Sequence, residues 1–301
     1  MAKNNKERSY EAHRRSQRIV RYIVLIILAV LCIFPFYVLA VNATHSSGEI
    51  IRGLFVGNTL GEKLKTIWFG NQFVVNLKNA LTDGSLPVVR GMLNSMIIAV
   101  GTAVCTTYFS CLTAYAIHVY DFKGRKAIAT FILAIMMIPT QVSALGFFDL
   151  MKTFHLLNNF VPLIIPAIAS PVIYFFMLQY MQSSLPLEIV EAARIDGSNE
   201  FKTFNSIVLP IMKPAIAVQA IFSFVSSWNN YFTPNLILDS KHSNLWTLPI
   251  VIAKLRAADF QSFDNGKVYM TIFLSIVPVI IVYIFLSRYI IQGVAVGSVK
   301  G

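Results

Sequence analysis

Leu185-Pro186-Leu187-Glu188-Ile189-Val190-Glu191-Ala192-Ala193-Arg194-Ile195-Asp196-Gly197, continued by Ser198 to Ser206 and closed by Ile207-Val208-Leu209-Pro210, is the most informative stretch of this chain. It reads as a short amphipathic helix with its own stop. Pro186 opens the first turn, where a missing N–H costs nothing. Glu188 and Glu191 lie near the positive end of the helix dipole, which favours acids. Ala192 and Ala193 give a slim, strongly helical face that permits close approach. Gly197 supplies the positive φ that ends a helix and turns the chain. Beyond it, Phe201 and Phe204 present an i, i+3 apolar pair. Two fates fit such an element: a plug for a cleft on another protein, or a helix lying on the membrane surface. The acidic N-terminal half favours the plug, because anionic lipid repels it.

Outward from this 182–214 loop the chain turns apolar. Apolar residues make up 56% of it and charged residues only 13%, against about 25% charged in a soluble domain. So few charges cannot cover a globular surface, and the bilayer is the simplest alternative solvent. Apolar runs lie at 22–41, 92–117, 128–148, 160–181, 215–236 and 268–287. A helical crossing takes roughly 20 residues, so the expectation is an all-α integral membrane protein with six transmembrane helices spread over 22–287. A basic N-terminus (1–21) precedes them and a tail (288–301) follows. Loops 42–90 and 237–267 fall on one side, and loop 182–214 on the other. The first run also fits a signal peptide, with Val41-Asn42-Ala43 as a weak cleavage site. Its length exceeds the usual signal core of about 7–15 residues, which favours an uncleaved first helix.

The net charge of +11 does not point to nucleic acid, because no basic groove with interleaved aromatics is present. Residues 1–21 hold Lys3, Lys6, Arg8, Arg14, Arg15, Arg18 and Arg21, and the short loop 118–127 holds Lys123, Arg125 and Lys126. The opposite loop 149–159 holds only Lys152. The positive-inside rule therefore puts both termini in the cytoplasm. Loop 237–267, with Lys241, Lys254 and Arg256, runs against that pattern.

The three cysteines, Cys32, Cys105 and Cys111, all sit in apolar runs and read as packing residues. No phosphate-binding G-x-x-x-x-G-K-[ST] loop occurs, so the chain itself should not bind ATP through one. The five histidines are scattered, and no catalytic or metal constellation is visible: the chain reads as no enzyme, with no cofactor or metal of its own. No Asp, Glu, Lys or Arg stands mid-helix, which argues against a proton-driven transporter but leaves sodium coupling open. The fifth run carries Ser223, Ser227, Trp228, Asn229 and Asn230. These read either as interhelical glue or as the wall of a wet cavity with an aromatic platform for sugars. Pro139, Pro166, Pro171 and Pro278 read as ordinary helix kinks or as hinges.

Glu191-Ala192-Ala193, three residues, Gly197, nine residues, then Ile207-x-Leu209-Pro210 resembles the signature loop of bacterial binding-protein-dependent ABC import permeases, matched at every fixed position. Asn94-Ser95, Ala114-Tyr115-Ala116 and Phe122-x-Gly124-Arg125 are similar to that family's second helix and first cytoplasmic loop. The tail from Arg288 to Gly293 and from Gly297 to Gly301 is similar to its carbohydrate branch, in particular to the smaller maltose-permease-type subunit. The chain departs from the pattern at Ser198, at Gln179, around 144–148, and in a long 42–90 loop.

The resemblance implies the type I importer permease fold with a cytoplasmic coupling helix, in the bacterial cytoplasmic membrane. It implies a heterodimer with a second homologous permease, two cytoplasmic ATPase subunits that bind ATP and Mg, and an extracytoplasmic solute-binding protein that meets loop 237–267. It assigns ATPase coupling to Glu188, Glu191, Ala192, Ala193, Asp196, Gly197 and Phe201, and a tail contact with the ATPases to Gly297, Lys300 and Gly301. An ion-coupled secondary transporter and a membrane enzyme acting on lipid-linked sugars are the competing readings. The first needs no ATPase, and the second needs an interfacial charged site that the sequence lacks.

Overall fold

The computed structural model describes residues 2–52, 67–82, 86–257 and 264–298. The described residues form helices, turns and bends, with no strand among them. The fold is therefore all-α. Two compact units emerge: residues 1–82 with 259–273, and residues 83–258 with 274–301.

The first unit begins with the Ala2–Asn42 helix, whose Gln17–Asn42 part is long and apolar enough to cross a membrane. From Ile19 to Phe36 its large apolar side chains are exposed all round, which suits a helix solvated by lipid. The corner after it is tied by polar groups. Asn76 donates its amide to the carbonyls of Ala43 (2.9 Å) and His45 (2.8 Å). Ser46 and Glu49 form a reciprocal capping box that starts the Ser47–Arg52 helix.

The second unit is organised around the Val88–Val119 helix. It packs against Lys213–Trp228, Pro171–Ser184 and Leu248–Ala257. Small buried residues at four-residue spacing, Gly91, Ser95, Ala99 and Ala103, let these neighbours come close. Gly101 opens a similar approach: a side-chain carbon there would stand 3.1 Å from Ile164.

A row of hydroxyls on this helix solves a backbone problem in its neighbour. The span Val161–Ser184 is interrupted by a 3-10 turn, Ile165–Ile168, and a break before Pro171. Pro171 has no N–H, so the carbonyl of Ala167 loses its helical partner. Thr106 donates its hydroxyl to that carbonyl at 3.1 Å. One turn away on either side, Thr102 reaches Leu163 O at 3.3 Å and Ser110 reaches Ser170 O at 3.5 Å.

Among the described residues, four helices are long and apolar enough to span: Gln17–Asn42, Val88–Val119, Val161–Ser184 and Asn265–Tyr289. A fifth exists if Glu200–Ile211 and Lys213–Trp228, bent by 80°, count as one. The expected third span, 128–148, is not one continuous helix. It is two, Arg125–Ile135 and Thr140–Thr153, parted at Met136–Pro139. Pro139 disfavours helix in the residue before it and withholds the next bond. The expected fifth span, 215–236, stops at Trp228, and a separate short helix, Phe232–Ile237, follows.

Asn94 and Ser95 have a definite task. The Asn94 amide donates to the carbonyls of Asn244 and Trp246, both at 2.9 Å, and the Ser95 hydroxyl accepts from Leu248 N–H at 2.8 Å. They staple the segment before Leu248–Ala257 to the central helix. Asn94→Leu removes the amide donor from Trp246 O and leaves Asn244 O with only the longer Arg90 bond at 3.4 Å, and should lower thermal stability in detergent by about 1–3 kcal/mol. Asn244→Ala, which keeps the accepting carbonyl, should be close to neutral in the same melt.

Candidate functional site

The signature loop folds as a helix, Leu187–Ile195, with Pro186 at its N-cap rather than inside the first turn. Val190 and Ala193 point inward, and Val190 is only 1% exposed in a core with Phe204, Val208 and Met212. Glu188, Glu191, Ala192, Asp196 and Gly197 are exposed. The two alanines therefore divide, one seating the helix and one facing outward. Ile195, which the sequence reading did not single out, is 87% exposed. An isoleucine so open beside two acids and an alanine makes a compact apolar knob with a negative rim.

The helix ends as Gly197 requires. Its φ is +77°, and a side-chain carbon there would meet nothing within 4 Å, so the constraint is backbone conformation rather than space. Gly197 N–H bonds Arg194 O at 3.0 Å and Ser198 N–H bonds Ala193 O at 2.9 Å, the two bonds of a Schellman stop. Asn199 then caps the next turn through Lys202 N–H at 2.8 Å. The expected Phe201–Phe204 pair does not form one face. Phe204 is 1% exposed in the core and Phe201 is 72% exposed, because i, i+3 residues point about 60° apart on a helix and here only one of the two directions meets the core.

Arg194 and Glu200 meet across the glycine turn. Arg194 Nε lies 2.7 Å from Glu200 Oε1. The Tyr115 hydroxyl, 85 residues away on the central helix, donates to Glu200 Oε2 at 2.7 Å. The Arg194 guanidinium also stands 5.5 Å from the Tyr120 ring centre. Arg194, and then the tyrosine hydroxyls, hold the Glu200 carboxyl down at about 2. Nothing in the spacing of these four residues announces the cluster, since it depends on how the loop folds back.

The polar residues of the fifth run separate. Ser223 is buried. Ser227 bonds Thr102 across helices at 3.4 Å, which is the glue role. Trp228 is 2% exposed, stacks on Phe224 and donates its indole N–H to Ser275 O at 3.1 Å. It therefore offers no open platform. Asn230 caps the Phe232–Ile237 helix through Thr233. Ser227 and Asn230 nevertheless border a mostly apolar cavity of about 900 Å³, with Phe147, Pro166 and Phe232. Trp228 and Asn229 border a smaller one of about 270 Å³ with Tyr231 and Arg256. Three of the helix breaks, near 136–139, 165–170 and 229–231, touch the larger cavity. Gly297 lies in the Asn265–Ser298 helix, while Lys300 and Gly301 fall outside the described residues. No group of three or more His, Cys, Asp or Glu side chains that could hold a metal occurs among the described residues.

The profile of the binding-protein-dependent transport system inner membrane component family matches residues 106–295, including the whole signature loop. The chain belongs to this family. It is a multi-pass membrane permease, a transport subunit rather than a catalyst. The permease is 35% identical, over 94% of its length and 96% of the relative's, to the arabinooligosaccharides transport system permease protein of Bacillus subtilis (strain 168). It is 32% identical to the lactose transport system permease protein of Rhizobium radiobacter, over 95% of this chain and 98% of that one. Its fold matches a chain in the crystal structure of a bacterial ABC transporter involved in the import of the acidic polysaccharide alginate. There the TM-score is 0.74 and the identity 22%, over 91% of this chain and 96% of the other.

The depressed Glu200 carboxyl has a consequence with a definite sign. Its ion pair contributes fully above the ordinary carboxylate value of 4.5 and is lost only as pH falls through about 2. Carboxylate signals of isotope-labelled glutamate should show Glu200 still ionised at pH 3.5, and Arg194→Met should bring its titration back toward 4.5.

Proposed function

We propose that this permease imports a carbohydrate, a sugar or oligosaccharide, driven by ATP that separate subunits hydrolyse. The observation that carries the reading is the loop helix Leu187–Ile195, seated inward by Val190 and Ala193 and exposed along Glu188, Glu191, Ala192 and Ile195. A helix fixed on one face and bare on the other is made to enter a groove on a partner. Glu188, Glu191, Ala192, Ala193, Asp196, Gly197 and Phe201 form the coupling region, with Ile195 as its apolar tip. The partners are a second homologous permease, two ATPase subunits and an extracytoplasmic solute-binding protein. Carbohydrate as cargo is supported by the names of the similar permeases, arabinooligosaccharides and lactose.

In this reading the broken pair Arg125–Ile135 and Thr140–Thr153 crosses the membrane once and completes six spans across 22–287. The seven Lys and Arg of residues 1–21 hold the N-terminus in the cytoplasm. The tail 288–301, with Gly297, Lys300 and Gly301, lies on the same side and reaches toward the ATPases. The cavity bordered by Ser227 and Asn230 is part of the translocation path.

Two measurements test this. The chain, tagged in its own cells and extracted in mild detergent, should bring down a second permease and a phosphate-loop ATPase. A chain recovered alone, with uptake that follows a sodium gradient, would mean a secondary transporter. Gly197→Val places a β-branched residue at a positive φ, a strain of about 1–2 kcal/mol. It should cut ATP-driven uptake of labelled arabino-oligosaccharide or lactose by about tenfold or more. Uptake at the parental rate would remove the docking role. Uptake of a phosphorylated polyol, but of no sugar, would remove the carbohydrate.

A further inference from the structure

The apolar seat of the loop helix cannot by itself transmit a directed pull. Val190 and Ala193 rest in the core through non-directional contacts, which tolerate sliding. Glu200 adds direction. Both of its oxygens are engaged, one by Arg194 on the loop helix and one by Tyr115 on the central helix, and charge-assisted bonds of this kind are short and geometrically specific. Tyr120, which follows the last residue of the Val88–Val119 helix, closes the cluster beneath the Arg194 guanidinium.

Local folding of the loop does not need this link. The Schellman bonds of Gly197 and Ser198 and the Asn199 cap already fix the turn. The bond to Tyr115 is additional, and it is the one that leaves the loop. It also arrives at an effective place. The Val88–Val119 helix is 32 residues long, about 48 Å at 1.5 Å per residue. Tyr115 lies near one end and the Asn94–Ser95 staple near the other. Between them, Thr102 and Thr106 hold the carbonyls of the broken span.

We propose that Arg194, Glu200, Tyr115 and Tyr120 form a clasp that carries movement of the loop helix into the Val88–Val119 helix, with Glu200 as its central positioning residue. The proposal rests on the importer reading above. Without the clasp, a partner ATPase still docks on the exposed face, but the central helix no longer follows it.

Cys105, half-buried on the central helix, is a native reporter. The complex is captured through a tag on this chain and placed in nanodiscs. Maleimide labelling of Cys105 is followed by peptide mass spectrometry, without nucleotide and with Mg–ATP plus orthovanadate. The unsubstituted complex should change its Cys105 labelling rate with nucleotide. Glu200→Gln should keep ATPase recovery and ATP hydrolysis within about twofold while the Cys105 response falls about threefold or more. Tyr115→Phe, which removes only the bond that leaves the loop, should show the same fall with the same ATPase recovery. A full response in either variant overturns the proposal. Loss of ATPase recovery in Glu200→Gln also overturns it, since the cluster would then only shape the docking face. A parent complex whose Cys105 ignores nucleotide overturns it too, because the central helix would not be the moved element. Recovery of no ATPase with the unsubstituted chain would instead strike the importer reading itself.

Discussion

Backbone carbonyls in a membrane have no water to turn to, so every break in a helix must be answered by another part of the protein. The rest of this structure depends on that constraint. Pro171 opens the Val161–Ser184 span, and Thr106, flanked by Thr102 and Ser110, supplies the donor that proline removed. The central helix can therefore be neither a plain apolar rod nor a freely placed one. Its hydroxyls must face the break, which fixes its rotation. That rotation then points Gly91, Asn94 and Ser95 at the Leu248–Ala257 segment and Tyr115 at the signature loop. One requirement, satisfying orphaned carbonyls, sets the geometry at both ends of the unit.

The breaks it accommodates serve a purpose. A bundle of unbroken helices packs into a solid core. Here three interruptions border one cavity of about 900 Å³, and the polar groups there come from residues at or near helix ends, such as Ser227, Asn230 and Thr233. Non-helical backbone at membrane depth is tolerated where it lines a cavity or is buried in protein. In the proposed importer, a path for a solute and a tolerable break are the same physical object.

Much of this was legible before any coordinates. Gly197 had to take a positive φ because a helix must stop somewhere, and only glycine takes that conformation without strain. Low charge and runs of roughly 20 apolar residues signalled a membrane protein. Periodicity failed where two partners compete for one segment. It read 128–148 as one helix because apolarity continues through Pro139, although the backbone does not. It paired Phe201 with Phe204 because i, i+3 residues are neighbours on a helix, although only Phe204 meets the core. It left Trp228 open as a platform, since sequence does not say that Phe224 stacks on its ring and Ser275 takes its indole N–H. The Glu200 cluster was invisible for a plainer reason: it joins residues 85 apart, and no local rule reaches that far.

Ile195 has a meaning for the life of the subunit as well as for its work. A water-facing isoleucine, 87% exposed, forgoes about 1.5–3 kcal/mol of hydrophobic stabilisation that burial would bring. In the proposed complex that energy returns when the ATPase groove closes over it, so the stability of the folded chain would follow the concentration of the ATPase. An unaccompanied copy carries its bare apolar tip where chaperones and proteases survey exposed surface. In the proposed complex, this one side chain would tie the stoichiometry of assembly to protein turnover.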